Sequence, residues 1–296
     1  MPRSYLFVPG DSEKKLAKGL AGDADALIID LEDAIAPSNK DVGRQLTAQF
    51  LARQRGARAR LWVRVNAFST RLTEADLAAV VAQRPAGIVL PKCDGIEHVE
   101  RLSRLLSALE SQHRLPEGAI RIIGIVTETA ASVLNTPSLR AGHPRLAGMM
   151  WGAEDLAADL GAAANRDATG AFAEPFRVAR SLCLLAAKAA GVEAIDTVFT
   201  DIRDLAKLEA ETAAARAMGF DAKAAIHPDQ VAIINRVYTP GDEELAWARR
   251  IVAAFDAQPD VGVVRLDDKM VDQPHLKHAR RLLGDGPPKD ASSIEP

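Results

Sequence analysis

The chain has 296 residues, of which 48% are hydrophobic and 26% charged, and its formal net charge is −3. This composition is typical of a folded globular protein, and the small net charge gives no whole-chain attraction to nucleic acid or to membranes. Cys93 and Cys183 stand far apart without a CxxC motif, which argues against a disulfide framework and a thiolate zinc site. The first apolar run is too short for a signal peptide, and no stretch approaches a membrane span. We therefore expect a cytoplasmic protein.

Along the chain, short apolar runs alternate with segments of helical periodicity. Two of the helical segments are EHVERLSRLLSALE (97–110) and PFRVARSLCLLAAKAA (175–190), which place apolar residues at i, i+3 and i+4. The apolar runs are continuous rather than alternating, as expected for parallel strands that are covered on both faces. Eight runs predict strands: SYLFV (4–8), ALIID (26–30), LWVRV (61–65), GIVLP (87–91), RIIGIV (121–126), LAGMMWG (146–152), IDTVF (195–199) and AKAAI (222–226).

This alternation predicts the fold class. Strands and helices in strict succession over this length indicate an α/β fold, a (β/α)8 TIM barrel, with an open doubly wound sheet as the alternative. We expect the barrel to occupy residues 1–257 and a separate C-terminal segment to occupy residues 258–296. The end of that segment, GDGPPKDASSIEP, is rich in Pro, Gly, Ser and charge and is predicted to be disordered.

Ionisable and polar residues follow nearly every predicted strand. Because barrel enzymes place their chemistry at the C-terminal ends of the strands, we expect these residues to share one rim. Some of them would serve only as helix N-caps. In chain order they are Asp11, Asp30, Glu32, Asp33, Arg64, Asn66, Lys92, Glu128, Glu154, Asp155, Asp196, Asp201 and His227.

Glu128 and Asp155 follow the fifth and sixth strands and are the candidate metal ligands. Either one alone is explained equally well as an acidic residue at a helix N-terminus. Together, beside the small residues Ala130, Gly152 and Ala153, they leave room for a hard cation with oxygen ligands and retained waters, which is the habit of Mg²⁺. The sequence therefore predicts a magnesium site made by these two carboxylates.

Arg64 lies inside the apolar strand LWVRV, where an unpaired guanidinium would be costly. It requires a carboxylate or an anionic substrate nearby. Asp30, Glu32 and Asp33 crowd the end of the second strand, and carboxylates so close together repel one another unless a cation balances them. We expect these three carboxylates to balance Arg64 and to accept hydrogen bonds from metal-bound water.

Lysines near the rim support competing hypotheses. Lys92, at the end of the fourth strand, could form a Schiff base with a carbonyl substrate, which would make the protein a metal-free aldolase. The number of carboxylates nearby favours an ion pair instead. Lys14, Lys15 and Lys18 follow the first strand on a helix, where a lysine-rich face is usually only solvated, but at the rim such a face would meet phosphates.

Nine segments, in order from residue 4 to about 280, carry a family resemblance: YLFVPGDSEKK, LIIDLEDAI, VRVNAFST, IVLPKCDG, IVTETA, WGAEDLAADLGA, AIDTVFTDIRD, GFDAKAAIHPDQ and KMVDQPHLKHAR. They resemble the citrate lyase beta-subunit-like family of the HpcH/HpaI aldolase-like superfamily, which includes citramalyl-CoA and malyl-CoA lyases. The resemblance covers almost the whole chain. It implies a (β/α)8 barrel with a C-terminal helical lid, in agreement with the strand pattern.

The resemblance also implies roles for individual residues. Glu128 and Asp155 would bind magnesium, and Arg64 would contact the reacting oxygens. Asp272, in MVDQP, matches a lid aspartate that acts as the acid/base in the site of a neighbouring subunit, which implies a homotrimer or hexamer. The segment VPGDSEKK, together with the lysines of the first helix, matches the region that contacts the adenine and phosphates of CoA.

The implied activity is that of a magnesium-dependent carbon–carbon lyase. It would cleave a 3-hydroxyacyl-CoA, such as citramalyl-CoA or malyl-CoA, to acetyl-CoA and a 2-keto acid, or catalyse the reverse condensation. Forming a thioester enolate needs an electrophile at the thioester oxygen and a proton donor at the emerging methyl carbon, roles that suit Arg64 and Asp272. Pyruvate, glyoxylate and oxaloacetate all remain candidates for the keto acid.

Three other functions stay open. The chain also resembles the beta subunit of a multi-subunit citrate lyase, whose thioester is held on a carrier protein. A metal-dependent aldolase acting on free hydroxy-keto acids would share the two candidate ligands without needing CoA. A non-enzymatic protein would bind CoA without turnover.

Overall fold

The computed structural model describes residues 1–54 and 56–284. Eight parallel strands close into a barrel, in which each strand pairs with the next and the last pairs with the first. This closure confirms the predicted (β/α)8 barrel and excludes the open sheet. The strands are β1 (Ser4–Pro9), β2 (Ala26–Asp30), β3 (Arg60–Arg64), β4 (Gly87–Leu90), β5 (Arg121–Ile125), β6 (Leu146–Met150), β7 (Glu193–Asp196) and β8 (Ala222–Ala225).

Helices connect successive strands. The bounds of the two helical segments expected from the sequence lie within one or two residues of those of the helices Ile96–Gln112 and Glu174–Ala189. In the described part of the chain, no helix is both long enough and apolar enough to cross a membrane. The helices of the barrel are α1 (Glu13–Ala21), α2 (Lys40–Arg53), α3 (Thr73–Val80), α4 (Ile96–Gln112), α5 (Ala130–Asn135), α6 (Ala153–Leu160), α7 (Glu174–Ala189), α8 (Leu205–Met218) and α9 (Pro228–Tyr238).

The seventh strand ends earlier than the sequence predicted. The apolar run suggested a strand over residues 195–199, whereas β7 ends at Asp196. The carbonyl of Thr197 does not continue the ladder, because it accepts a hydrogen bond from the side chain of Lys223 instead. The residues after Asp196 are thereby released to form part of the rim.

Strand side chains pack in two layers. Tyr5, Ile28, Trp62, Ile123 and Ile195 belong to the smaller cluster, which fills the inside of the barrel. Alternate residues of the same strands point outward and join a larger cluster with the helices. Both faces of the strands are buried, which explains why their sequences are continuously apolar.

Residues 239–284 form a second compact unit. It contains α10 (Asp242–Asp256), an antiparallel hairpin of β9 (Val263–Leu266) and β10 (Lys269–Asp272), and α11 (Gln273–Leu283). Its core joins Phe255 of α10 to Leu276 of α11, so α10 belongs with the hairpin. The division therefore falls at 238/239, earlier than the 257/258 boundary expected from the sequence. Of the segment predicted to be disordered, residues 285–296 lie outside the described residues.

Candidate active site

Asp30 and Arg64 form a buried ion pair at the C-terminal ends of two neighbouring strands. They are register partners on β2 and β3, so their side chains share one face of the sheet. Nε and Nη2 of Arg64 donate to the two carboxylate oxygens of Asp30 at 2.8 and 2.6 Å. Burial alone would lower the pKa of Arg64, but Asp30 and Glu32 raise it above its ordinary value. The guanidinium therefore stays charged and fixed in orientation.

Glu32 and Lys92 extend this charged cluster. Oε2 of the buried Glu32 lies 3.0 Å from Nη1 of Arg64, and Oε1 accepts a hydrogen bond from Nζ of Lys92 at 2.7 Å. Burial raises the pKa of Glu32 despite the two cations beside it. Asp33 is more exposed, and its carboxylate lies 3.8 Å from both cationic groups. The three carboxylates at and just after the end of β2 thus surround Arg64 and Lys92, as the charge argument from the sequence required.

Lys92 is held in the ion pair that the sequence favoured over a Schiff base. Besides Glu32, its ammonium contacts Oδ1 of Asp155 at 3.0 Å. Burial opposes the charge, but the carboxylates of Glu128 and Glu32 outweigh it and raise the pKa of Lys92. A Schiff base requires a neutral amine, so this environment disfavours one.

Glu128 follows β5 and is buried. Its carboxylate accepts a hydrogen bond from the backbone N–H of Lys92, a residue in the left-handed conformation with φ of 48°. Gly152 makes room for the side chain, because a Cβ there would lie 2.6 Å from Cγ of Glu128. Burial, and then the charges of Asp155 and Glu32, raise the pKa of Glu128 well above its ordinary value. A cation bound beside this carboxylate would therefore stabilise its ionised form.

Asp155 reaches the same cluster from the first turn of α6 and remains partly exposed. Among the described residues, no group of three or more His, Cys, Asp or Glu side chains is arranged to hold a metal ion. Two carboxylates that leave the other coordination positions to water or substrate nevertheless fit the habit of Mg²⁺. The assignment of Glu128 and Asp155 as ligands remains a prediction that this geometry supports.

These side chains line a pocket of about 400 Å³. Part of its wall is apolar and is formed by Phe7, Ile125, Met150 and Val198. Among the described residues that line it, Arg64 is the one cation. Five carboxylates, of Asp30, Asp33, Glu128, Glu154 and Asp155, line the pocket with it, so a small anionic substrate would need a bound cation there as well as Arg64. The apolar wall suits a substrate that also carries an apolar group.

A second pocket of about 330 Å³ lies beside the first and shares Asp33 with it. Lys40, Ser69 and Thr70 are among its lining residues, and the sequence analysis did not select them. Nζ of Lys40 donates to two main-chain carbonyls in the loop after β2, at 2.8 and 2.7 Å. The sequence spacing of these residues does not indicate that they line one pocket, because they come from separate strand-to-helix connections.

The remaining predicted site residues are in different settings. Lys14, Lys15 and Lys18 are exposed on α1. Asp272 is the N-cap of α11, and its Oδ1 lies 2.5 Å from Nδ1 of His275. This hydrogen bond lowers the pKa of Asp272. The roles expected of these four residues in CoA binding and proton transfer remain predictions.

Comparisons with known proteins match this architecture. Residues 3–228 match the family model described as HpcH/HpaI aldolase/citrate lyase. The chain is 36% identical over 284 residues to a (3S)-malyl-CoA thioesterase of Cereibacter sphaeroides, with 95% of this chain and 93% of that protein covered. It is 33% identical over 293 residues to the mitochondrial citramalyl-CoA lyase of Rattus norvegicus, with 95% and 85% covered.

Solved structures are similar over nearly the whole chain. Protein CitE from Mycobacterium tuberculosis, in complex with magnesium, acetoacetate and coenzyme A, has a TM-score of 0.78 and 36% identity, with 96% of this chain and 97% of that chain covered. The same protein in complex with magnesium and pyruvate has a TM-score of 0.73 and 33% identity, with 95% and 97% covered.

Proposed function

The chain belongs to the HpcH/HpaI aldolase/citrate lyase family, and from this premise we propose that it is a magnesium-dependent carbon–carbon lyase. Its substrate would be a 3-hydroxyacyl-CoA such as citramalyl-CoA or malyl-CoA, which it cleaves to, or forms from, acetyl-CoA and a 2-keto acid. The observation that carries the proposal is the meeting of Arg64 with Glu128 and Asp155 in one pocket. The similar solved structure with magnesium, acetoacetate and coenzyme A supports it.

Glu128 and Asp155 are the residues that would hold magnesium. Both are oxygen ligands of the kind that hard cations prefer, and the buried position of Glu128 beside other carboxylates favours a cation there. When bound, the metal would act as a Lewis acid on the hydroxyl and keto oxygens of the substrate. Lys92, paired with Glu32 and Asp155, would remain a charged neighbour without a covalent role.

Arg64 would stabilise the negative charge that develops on the thioester oxygen when the enolate forms. Its Nε and Nη2 are held by Asp30, and Nη1 faces Glu32. The guanidinium carbon also lies 5.0 Å from the centroid of the Phe7 ring. Because these contacts orient the side chain before substrate binds, little reorganisation is needed during the reaction.

Asp272 is the proposed acid/base. In the condensation direction it would remove a proton from the methyl group of acetyl-CoA, and in cleavage it would return that proton to the methylene carbon of the enolate. Its hydrogen bond to His275 lowers its pKa, which favours the ionised form that the condensation requires. We propose that Asp272 serves the active site of a neighbouring subunit, within a homotrimer or a hexamer.

The chemistry of the pocket favours a keto acid with a single carboxylate. The second carboxylate of oxaloacetate would need a further cation, whereas the described lining residues include only Arg64, which is already paired with Asp30. The apolar wall around Met150 and Ile125 suits the methyl group of pyruvate. We therefore propose citramalyl-CoA as the first substrate to test within this class.

CoA itself would be recognised through its phosphates. Lys14, Lys15 and Lys18 are exposed on the helix that follows β1, and the end of that strand, Pro9, lines the pocket. Neutralising these lysines should raise the KM for acetyl-CoA and leave the KM for the keto acid unchanged. A metal-dependent aldolase acting on free hydroxy-keto acids would show no such effect.

One relative favours a second candidate function. The similar protein named (3S)-malyl-CoA thioesterase indicates hydrolysis of the thioester rather than cleavage of a carbon–carbon bond. The two activities release different products, since a lyase yields acetyl-CoA and a keto acid while a thioesterase yields free CoA and a hydroxy acid. Separating the products of citramalyl-CoA and malyl-CoA by liquid chromatography and mass spectrometry tests the proposal. A lyase predicts acetyl-CoA before any free CoA.

A further inference from the structure

A buried charged network lies across three neighbouring strands of the barrel. Asp196, the last residue of β7, is the register partner of Lys223 on β8. On the other side, Met150 of β6 is the register partner of Ile195, so Trp151 stands next to Asp196. The three side chains are thus neighbours, with Trp151 and Asp196 at the C-terminal ends of β6 and β7 and Lys223 within β8.

Asp196 is saturated with hydrogen-bond donors. Its Oδ1 accepts from Nε1 of Trp151 at 2.7 Å and from Nε of Arg180 at 3.0 Å. Its Oδ2 accepts from Nζ of Lys223 at 2.7 Å and from Nη2 of Arg180 at 3.2 Å. Burial would raise the pKa of Asp196, but Lys223 and Arg180 lower it below its ordinary value, so the carboxylate is ionised. The network is therefore complete and rigid.

Stability alone does not explain why charged residues form this network. Lys223 and Asp196 are both 1% exposed, and removing two charges from water is costly. Apolar residues of similar volume would often stabilise such a site equally well or better. Some proteins retain buried charges because these charges hold neighbouring groups in one arrangement. The groups that this network holds in place therefore indicate its role.

The atoms that the network fixes belong to the wall of the pocket. Nζ of Lys223 also donates to the carbonyl of Thr197, which lines the pocket, and Trp151 lines it too. Trp151 immediately precedes Gly152, whose Cα packs so closely on Glu128 that a Cβ would lie 2.6 Å from Cγ. Three residues further on, the first turn of α6 carries Asp155 into the cluster.

We propose that Asp196, through its hydrogen bond with Trp151, is a positioning residue that sets the distance between Glu128 and Asp155. The inference rests on the proposed function, because it assigns both carboxylates to one metal ion. Without the bond from Nε1, the loop that begins at Trp151 loses its anchor to β7. A shift of about 1 Å in that loop would spoil a shared coordination site while leaving the barrel folded.

Trp151→Phe tests the proposal, because it removes the N–H donor and retains an aromatic ring against Phe172. Trp62→Phe is the matched control: Nε1 of Trp62, on β3, is buried and has no hydrogen-bond partner among the described residues. Both variants delete an indole from the protein, but only the first deletes a hydrogen bond to Asp196.

The probe is Mn²⁺, and its binding to the purified metal-free full-length chain is followed by electron paramagnetic resonance. We expect Trp151→Phe to weaken Mn²⁺ binding about 10–100-fold, the range found when support of a metal ligand is lost, and Trp62→Phe to change it less than twofold. Thermal unfolding of both variants is recorded alongside. A purely structural role for the network would lower the Tm of Trp151→Phe and leave its Mn²⁺ affinity at the wild-type value, which would overturn the proposal.

Two further outcomes are distinguishable. If Trp151→Phe does not fold, replacement of Trp151 by 3-benzothienylalanine retains the shape of the indole without its N–H, and the same loss of affinity is expected. Wild-type Mn²⁺ affinity in the 3-benzothienylalanine variant would reject the positioning role.

If the wild-type chain itself binds no Mn²⁺, the metal assignment in the proposed function fails and the inference fails with it. Binding by wild type with no effect of the variants refutes the inference alone.

Discussion

Asp30 and Arg64 are register partners on adjacent strands, and both nitrogen–oxygen contacts between their side chains are 2.8 Å or shorter. The pair holds the guanidinium in one orientation at the end of the barrel, where the proposed reaction places the thioester oxygen. Arginine is suited to this position because its planar fork matches a carboxylate, whereas lysine offers a single point of charge.

Replacement of Arg64 by Lys is expected to lower kcat by about 10²–10³-fold, because the charge remains but the oriented donors are lost. Arg145→Lys is the matched control. Arg145 makes a similar buried pair with Glu110 at 2.8 and 2.6 Å, but it precedes β6 and lies outside both pockets. Its substitution should reduce stability and leave kcat of the folded protein unchanged. Equal loss of kcat in the two variants would remove the proposed role of Arg64.

Glu128→Gln should stabilise the metal-free protein and abolish metal-dependent activity. The pKa of Glu128 is higher in the folded state than in the unfolded state. Between these two pKa values the folded state binds more protons than the unfolded state. The free energy of unfolding therefore falls as the pH rises from the unfolded-state pKa through the folded-state pKa. Glutamine avoids this penalty and can still accept the N–H of Lys92. The gain in Tm over wild type in EDTA is therefore expected to grow from pH 5 to pH 8, where about 1 kcal/mol corresponds to about 2–4 °C.

The same variant tests the metal assignment. Loss of a direct ligand should lower activity by more than the ~10–100-fold typical of a residue that only supports one. Full activity of Glu128→Gln at saturating magnesium, or wild-type activity in excess EDTA, would be incompatible with Glu128 as a ligand.

Lys92 should form no covalent adduct with a keto acid. Its ammonium is paired with Glu32 and Asp155, and neighbouring carboxylates raise its pKa, so the neutral amine that a Schiff base requires is scarce. Borohydride treatment in the presence of pyruvate, followed by peptide mass spectrometry, should find the Lys92 peptide unmodified. A reduced pyruvate adduct on that peptide would indicate a Schiff-base aldolase instead.

Arg64→Ala and Asp272→Asn should complement each other if Asp272 serves a neighbouring subunit. Each variant alone is expected to be inactive, with turnover of Asp272→Asn reduced by about 10²–10⁴-fold. Mixed oligomers, prepared by subunit exchange and isolated through two different tags, would contain sites with both residues intact. Arg64→Ala mixed with the double variant is the control and should not recover. Mixed oligomers that form without regaining activity would show that the site is not shared.

Much of the barrel and its charged cluster follows from local sequence. Continuous apolar runs predicted eight strands, and an arginine inside an apolar strand required the carboxylate partner that Asp30 provides. By contrast, two features depend on residues that are distant in sequence. Trp151 donates its indole N–H to Asp196, and the hydrogen bond from Lys223 to the carbonyl of Thr197 marks the end of β7. The unit to which α10 belongs is likewise decided by its packing on α11 rather than by its own periodicity.

The most direct test of the account is carbon–carbon bond formation by the purified wild-type chain. Acetyl-CoA is incubated separately with pyruvate, glyoxylate and oxaloacetate, with magnesium or with EDTA, and the thioesters are identified by mass spectrometry. The account predicts a 3-hydroxyacyl-CoA whose mass is the sum of acetyl-CoA and the keto acid, formed only with magnesium and fastest with pyruvate. Release of free CoA without any condensed thioester, for all three keto acids, would contradict it.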